Sequence, residues 1–318
     1  MNKMKKTNII FTVFFLLITS FVSAQQSPQF THYMYNMSVV NPAYATNSPG
    51  TINLGGLYRT QWVGAVGAPK TASFFGHAAL AKKVELGLSV ISDAIGDVVT
   101  DNSLTADFAY VIPVSAKTKL SFGVKAGASF FDANINGLKL TDYQTDVAFQ
   151  ENIHKAFPNV GAGTYLFGNQ YYLGLSVPNV LTTKHLQTTN GIKTTGVESI
   201  HYFFTGGYVF NLNENLKLKP AFMMKGVSGA PLSIDLTTNV LIRNRVELGA
   251  AYRLNDSVSG LVNFYLTSNL KVGYSYDYTL TNLGKYNSGT HEFFILFDLG
   301  KNKLNPSSNG YDKSPRFF

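Results

Sequence analysis

The sequence predicts an all-β protein, a 14-stranded antiparallel transmembrane outer-membrane β-barrel with an N-terminal plug-like segment. Apolar and polar side chains alternate in segments of about ten residues between residues 51 and 299, the connections are alternately tight and long, and a secretory signal comes first. From Leu120 to Phe130 every second residue is apolar, and the residues between them are Ser, Gly or Lys. Because successive strand side chains point to opposite faces, such a segment has one apolar wall and one polar wall.

Residues 1–24 are predicted to be a cleaved signal peptide. Three lysines precede an apolar stretch from Ile9 to Val22, and a Val-Ser-Ala sequence follows at a suitable cleavage point. An uncleaved anchor helix is the alternative, but the small residues and the polar sequence after them favour cleavage. The chain contains no cysteine, so neither a lipid-attachment cysteine nor a disulfide framework is expected.

Fourteen strands are predicted between residues 51 and 299. They cover Thr51 to Trp62, Lys70 to Ala81, Val84 to Ser92, Asn102 to Pro113, Lys119 to Phe131, Asn159 to Phe167, Tyr171 to Asn179, Ile200 to Asn211, Asn215 to Gly226, Leu232 to Ile242, Val246 to Leu254, Ser257 to Thr267, Leu270 to Leu280 and Thr290 to Leu299. Even-numbered connections are short, and the longest ones, 132–158, 180–199 and 281–289, are odd-numbered. Single-chain bacterial barrels place short turns in the periplasm and long loops outside, so the pattern also predicts orientation.

Charged residues at polar positions of apolar strands are predicted to line a hydrated interior, paired with one another. A charge facing lipid near the midplane costs roughly 2 to 4 kcal/mol for Arg or Lys. These residues are Glu85, Asp107, Lys125, Asp235, Glu247, Arg253, Asp277 and Glu292. Three lysines on one face of the ninth strand could attract anions, but they are expected instead to neutralise Asp235 and other acids on the neighbouring strand. They are Lys217, Lys219 and Lys225.

A secreted soluble β-sandwich is the alternative fold, since it also contains regularly spaced hairpins. Fourteen strands with so apolar an outer face favour the barrel. The formal net charge of +8 includes the signal-peptide lysines, and the remaining excess is spread along the chain, so nucleic-acid binding is not indicated.

No catalytic, cofactor or metal site is predicted. His291 and Glu292 begin a zinc-protease motif, but Ile295 stands where the second histidine is required, and the segment is predicted to be a strand. Three aspartates between residues 93 and 101 could hold calcium in a Gly-containing turn, but a solvated turn is favoured.

Two segments lie outside the predicted strands. Residues 25–50 are too aromatic for an ordinary linker, and they are expected to fold into the barrel as a plug; a loosely attached arm is the alternative. Residues 300–318 are expected to form a periplasmic tail, and its last residues could dock on a partner or on the barrel.

A set of sequence strings, in order along nearly the whole mature chain, carries a family resemblance. They are QFTHYMYN, NPAYA, YRTQWVGAVGAPKT, PNVGAGTYLFGNQYYLGLSVPNVL, GYSYDYTLTNLGKYNSGTHEF and SPRFF. Through these strings the chain resembles the PorP/SprF proteins of the type IX secretion and gliding-motility apparatus. One departure is NMSVVNPAYA, where such proteins often carry a proline after the first asparagine.

The resemblance implies a non-enzymatic outer-membrane component of type IX secretion. Such a protein is needed for export or surface attachment of a partner adhesin, whose C-terminal domain the barrel would hold or help to place. The implied partners are the type IX translocon with its periplasmic components, this adhesin domain and outer-membrane lipid, and loops 132–158 and 180–199 are the candidates for cargo contact. The candidate partner-recognition or plug residues are Phe30, Tyr33, Asn41, Pro42, Tyr44, Arg59, Trp62, Phe149, His154, Phe157, His185 and Phe318.

An outer-membrane channel or small-molecule transporter is the alternative function, since fourteen strands enclose enough width for a lumen. Physical reasoning from the residues leaves the two functions nearly even, and the resemblance favours secretion. A purely structural adhesin is a third possibility. The barrel is not expected to conduct its cargo, because a lumen filled with charged side chains lacks the bore for a folded domain.

Overall fold

The computed structural model describes residues 28–46, 50–81, 83–134, 152–181, 183–184, 197–228 and 230–300. Most of these residues belong to one antiparallel sheet that closes on itself as a 14-stranded barrel. Its strands are β1 Thr51–Thr60, β2 Pro69–Ala81, β3 Val84–Ile95, β4 Val99–Pro113, β5 Lys119–Ala133, β6 Ile153–Phe167, β7 Tyr171–Val177, β8 His201–Tyr208 continued by Phe210–Asn213, β9 Leu216–Val227, β10 Ser233–Ile242, β11 Val246–Arg253, β12 Ser257–Tyr265, β13 Leu270–Thr279 and β14 Thr290–Gly300.

The first and last strands close the barrel. Residues of β1 pair with β14 from Thr51 opposite Gly300 to Thr60 opposite His291. Strand β8 pairs with β7 on one side and with β9 on the other, so each strand of the barrel has two antiparallel neighbours. Closure matters in a bilayer because no water is present there to satisfy the backbone groups of a free sheet edge.

Burial alternates along the strands as the sequence pattern predicts. In β4, Asp107 and Ala109 are buried, whereas Phe108 and Tyr110 between and beside them are 45% and 41% exposed. The exposed side chains are apolar and form the outer wall. All eight predicted inward-facing charged residues are buried, which confirms the polar interior.

All fourteen predicted strands are present; β3 and β4 are each three residues longer than predicted, and β6 and β8 differ in other ways. Strand β6 begins at Ile153 rather than at Asn159 and includes Pro158. The neighbouring strand β7 ends at Val177, which lies opposite Ala162, so Pro158 has no paired residue of β7 on that side. A proline is tolerated there because it has no backbone N–H to donate to a neighbouring strand. Strand β8 is interrupted at Val209.

As predicted, the even-numbered connections are short and the longest ones are odd-numbered, so the barrel has a short-turn end and a long-loop end; two connections at the long-loop end, 96–98 and 254–256, are short as well. Even-numbered connections are tight; in the one after β10, Arg243 and Asn244 have φ values of 50° and 53°, as in the primed turns that suit hairpins. In the longer connection after β7, two short strands of two residues each, Thr183–Lys184 and Val197–Glu198, pair in an antiparallel manner. Both chain ends of the barrel, residues 51 and 300, lie at the short-turn end.

In the described ranges, helical structure is confined to short elements: 3-10 turns at Tyr33–Tyr35 and Asn282–Tyr286 and the one-turn helix α1 at Met37–Val40. Within the described residues, no helix is long and apolar enough to cross a membrane.

Candidate functional site

Residues 28–46, here called the inner segment, lie inside the barrel against the inward-facing side chains. Its aromatic residues Tyr33, Tyr35 and Tyr44 are at most 5% exposed, and Ala43 is fully buried. The segment also contains α1 and the preceding 3-10 turn, which satisfy part of its backbone. Several of its other polar groups, among them those of Thr31, His32 and Asn41, bind to the strands, which offsets part of the cost of burying them.

The carboxylate of Glu292 in β14 holds the start of the inner segment. It accepts hydrogen bonds from the backbone N–H groups of Thr31, at 3.0 Å, and His32, at 2.7 Å. The ring Nδ1 of His32 lies 2.8 Å from the same carboxylate, and Nε2 lies 3.2 Å from Oδ1 of Asn263.

Arg59 links this carboxylate to a second one. Its guanidinium Nη1 lies 2.9 Å from Glu292, and Nη2 lies 2.8 Å from Asp277. The hydroxyl of Thr31 donates to Asp277 at 2.8 Å and accepts from Arg59 at 3.1 Å. The buried ion cluster of Arg59, Asp277 and Glu292 therefore includes hydrogen bonds to the inner segment. Such charge-assisted hydrogen bonds are strong, and they fix the position of the segment.

A second buried cluster surrounds Tyr35. Its hydroxyl donates to Glu247, whose other carboxylate oxygen lies 2.5 Å from Lys219 Nζ and 3.4 Å from Lys271 Nζ. The Lys271 ammonium also lies 3.7 Å from the centre of the Tyr35 ring, and that ring stacks on Phe294 at 4.8 Å. The tyrosine thus combines a cation–π contact with a hydrogen bond to the single acid between two lysines.

The middle of the inner segment is held by hydrogen bonds from strand side chains to two of its backbone carbonyls. Lys125 Nζ donates to the carbonyl of Ser38 at 3.0 Å, and the Ser176 hydroxyl donates to the carbonyl of Val40 at 2.8 Å. Both carbonyls lie at or near the C-terminal end of α1, where the helix leaves carbonyl groups without internal partners.

The NPAYA sequence folds into a turn that lies against β5, β6 and β7. The Asn41 side chain donates to the Thr164 carbonyl at 3.0 Å and accepts from the Ala43 N–H at 2.9 Å. Tyr44 then packs edge-on against Tyr165 with ring centres 5.6 Å apart. The asparagine therefore shapes its own turn and ties it to the wall.

The inner segment ends against two further inward-facing residues. The backbone N–H and hydroxyl of Thr46 donate to Glu85 at 2.6 and 3.0 Å. His77 Nε2 lies 3.1 Å from the Tyr44 carbonyl, and the His77 ring lies 5.4 Å from the Tyr44 ring. Polar contacts thus run along the whole inner segment, from Thr31 to Thr46.

We expect Gly123→Ala to displace the NPAYA turn and to destabilise the barrel by about 1 to 3 kcal/mol, the usual cost of overpacking. A Cβ atom at this position would lie 2.3 Å from the Pro42 carbonyl oxygen, which is backbone and cannot rotate away. The free energy of unfolding in guanidinium, measured on protein folded into lipid vesicles, checks this.

Gly260→Ala is the matched control, because a Cβ atom there would meet nothing within 4 Å. We expect its unfolding free energy to stay within about 0.5 kcal/mol of the wild type. Equal stability of the two variants would contradict the tight packing of the turn against β5.

Six of the candidate residues named from the sequence come together in or around the inner segment. They are Phe30, Tyr33, Asn41, Pro42, Tyr44 and Arg59. Burial raises the pKa of the Tyr33 phenol well above its ordinary value, so this hydroxyl stays neutral.

Three other candidates lie at the long-loop end. Trp62 follows β1 in a turn and has a φ of 49°. Its backbone N–H donates to the Thr290 hydroxyl at 3.0 Å. His154, with a 69% exposed side chain, and half-buried Phe157 lie at the start of β6. The remaining candidates, Phe149, His185 and Phe318, lie outside the described residues.

The structure adds residues that the sequence did not single out. They are Thr31 and His32, which belong to the QFTHYMYN string and bind Glu292. Tyr35 of the same string is expected from the sequence to be buried against lumen side chains, and its partner is Glu247. The expected pairing of the β9 lysines with Asp235 is found only as an attraction between the charges of Lys225 and Asp235, because the ion pair of Asp235 is with an arginine. Asp235 binds Arg253 Nε at 2.6 Å, and Lys219 binds Glu247.

A family model described as "Type IX secretion system membrane protein PorP/SprF" matches residues 22–297. No curated protein matches the chain.

Several solved outer-membrane proteins are similar in structure. The toluene transporter TodX of P. putida has a TM-score of 0.49 at 9% identity, covering 84% of this chain and 94% of that chain. The toluene transporter TbuX of Ralstonia pickettii has a TM-score of 0.48 at 11% identity, covering 83% and 93%. The Acinetobacter baumannii protein Omp33 has a TM-score of 0.42 at 11% identity, covering 80% and 100%. These values are too low to support an argument about function.

Proposed function

The chain belongs to the PorP/SprF family of type IX secretion system membrane proteins, and from this premise we propose that it is needed for export or surface attachment of a partner adhesin. In this proposal the barrel holds the C-terminal domain of the adhesin, or places it together with the translocon, and performs no catalysis. The family match, which extends over residues 22–297, carries the proposal.

The occupied lumen supports a holding role over a conducting one. The inner segment is bound to inward-facing residues of many strands, from Glu292 in β14 to Glu85 in β3. A polypeptide could pass through the barrel only if these buried contacts were broken, and each buried charge left without its partner would be costly. We therefore propose that the inner segment acts as a plug and that cargo meets the barrel at its surface.

The proposed contact surface for cargo lies at the long-loop end. The predicted cargo loops, 132–158 and 180–199, both join strands at that end. Of the candidate residues there, Trp62, His154 and Phe157 offer an indole, an exposed imidazole and a phenyl ring. Aromatic residues of this kind are enriched among residues that dominate protein interfaces.

Deletion of the gene in its native host is expected to remove one adhesin from the cell surface while other type IX cargo stays. Quantitative surface proteomics, with re-expression of the wild-type barrel as the control, measures this. We expect at least a tenfold loss of that adhesin, and its accumulation in the periplasm or the medium. An unchanged surface proteome in cells shown to lack the barrel would exclude the proposal.

The contact surface is tested separately by site-specific photocrosslinking. A photoreactive residue replacing His154 is expected to crosslink the adhesin, whereas one replacing Lys117, in the short turn after β4, is not. Crosslinking from Lys117 alone would place cargo at the short-turn end and contradict the proposed surface.

A further inference from the structure

A cavity of about 330 Å³ lies between the inner segment and the long-loop end of the barrel, and it is called here the outer chamber. Phe30, Val39 and Val40 of the inner segment form its floor. Apolar side chains of the strands, among them Phe131 and Met223, contribute to its walls. A volume near 300 Å³ lies at the lower limit of small-molecule pockets, which are mostly apolar with few polar groups.

One lysine of the chamber wall has no hydrogen-bond partner in the described part of the chain. Lys225 is 4% exposed, and its Nζ atom is fully shielded from solvent without a hydrogen bond. Asp235 on the neighbouring strand attracts Lys225 through its charge but forms no hydrogen bond with it, and Asp235 Oδ1 lies 2.6 Å from Arg253 Nε. Arg253 also reaches Asp256 at 3.3 Å. Burying an ammonium group without a hydrogen-bond partner costs more than burying a neutral polar group in that way, so the position of Lys225 calls for an explanation.

The opposite wall of the chamber carries two acids. Asp93 of β3 and Asp101 of β4 are directly paired cross-strand neighbours, and both line the chamber. Asp93 accepts a hydrogen bond from Thr71 at 2.6 Å, whereas Oδ1 of Asp101 is buried without a partner among the described residues. The other lysine that lines the chamber, Lys125, already pairs with Asp107 at 3.2 Å, and the acid nearest Lys225 in the lining, Asp235, is paired with Arg253. Repulsion from Asp93 and Asp101 therefore directs an anion in the chamber toward Lys225.

We infer that the outer chamber binds a ligand with an apolar body and one carboxylate, and that Lys225 Nζ binds the carboxylate. The apolar body would pack between the floor and the side chains of Phe203 and Met223, which line the chamber on β8 and β9. Hydrogen bonds between an ammonium group and a carboxylate are among the strongest in proteins. The carboxylate could belong to a free organic acid or to the C-terminus of a polypeptide, and both present the same chemistry to Lys225.

Isothermal titration of the full mature protein in lipid nanodiscs tests this inference without the secretion apparatus, so its outcome does not depend on the proposed function. The probes are 4-phenylbutyrate and its neutral counterpart 4-phenylbutyramide, which have nearly the same shape. We expect saturable binding of the acid at one site per barrel, at least about tenfold tighter than binding of the amide.

Three variants connect the preference to the lysine. Lys225→Met keeps the length of the side chain and is expected to remove the tenfold preference for the acid, whereas Lys225→Arg is expected to keep it. Lys117→Met removes the same charge from an exposed turn at the short-turn end and is expected to bind like the wild type. Heat-modifiable migration in gels verifies that each variant forms a folded barrel.

An acetylated apolar tripeptide, compared as its free acid and as its C-terminal amide, separates the two sources of carboxylate. Binding of the peptide acid alone identifies a polypeptide C-terminus, and binding of 4-phenylbutyrate alone identifies a small organic acid. The inference is overturned if neither acid binds, if acid and amide bind equally, or if folded Lys225→Met retains the preference.

Discussion

Replacement of Glu292 by alanine is expected to release the start of the inner segment and to destabilise the protein by about 3 to 5 kcal/mol. In the wild type this carboxylate accepts bonds from two backbone N–H groups, from His32 Nδ1 and from Arg59. Without it, Arg59 and His32 would remain buried with one of their acidic partners missing. Arg59 keeps Asp277, but the buried backbone N–H groups of Thr31 and His32 lose their acceptor, and each unsatisfied buried donor costs about 1 to 3 kcal/mol.

Two measurements check this expectation. Guanidinium unfolding can be followed by fluorescence of Trp62, the single tryptophan of the chain. Release of the segment can be followed by chymotrypsin, which cuts after aromatic residues such as Tyr33 and Tyr44, both buried in the wild type. We expect cleavage within residues 28–46 in the variant and protection in the wild type.

Glu214→Ala is the matched control, since this glutamate is exposed in the turn between β8 and β9. Its stability is expected to stay within about 0.5 kcal/mol of the wild type. Glu292→Gln, which keeps the shape but loses the charge, is expected to fall between the two. If Glu292→Ala unfolds like the control and its inner segment stays protected, the cluster does not hold the segment.

The fold could be predicted from the sequence because its determinants are local. A strand in a bilayer must present apolar side chains to lipid on one face, so alternation in β5 from Leu120 to Phe130 is read directly from neighbouring residues. The predicted start of β6 was wrong, because the extent of that strand depends on the length of its neighbour and not on its own sequence. Pro158 looked like a loop residue, but it lies within β6 where the short strand β7 no longer runs beside it.

The contacts of the inner segment could be predicted only in outline. Its aromatic composition predicted burial, but the partner of His32 is Glu292, 260 residues further along the chain, and no local pattern indicates such a pair. The register between neighbouring strands decides which inward-facing charges form ion pairs. Asp235 lies opposite Met223 on β9 and opposite Arg253 on β11, so the arginine forms the ion pair, whereas Lys225, two residues along β9, has no hydrogen bond in the described part of the chain.

Deletion of residues 28–46 is expected to open the lumen and to distinguish a plugged barrel from a diffusive channel. In planar bilayers the wild type should give no steady current, because the inner segment occupies the space between Arg59, Glu247 and the other inward-facing charges. The deletion variant should give steady single-channel currents, at least about tenfold above the wild-type background. Barrels with sixteen or more strands leave an aqueous channel, and fourteen strands without internal packing approach that width.

A variant that lacks residues 301–318 has nearly the same length as the deletion variant but keeps the inner segment, so it serves as the control and is expected to stay closed. Glu292→Ala should show intermittent openings, since it loosens one attachment of the segment while others, such as Thr46 to Glu85, remain. Steady currents through the wild type would favour the alternative function of a channel or transporter. A deletion variant that folds but stays closed would show that the inner segment is not the plug. In that case the inward-facing side chains of the strands would be sufficient to block the lumen.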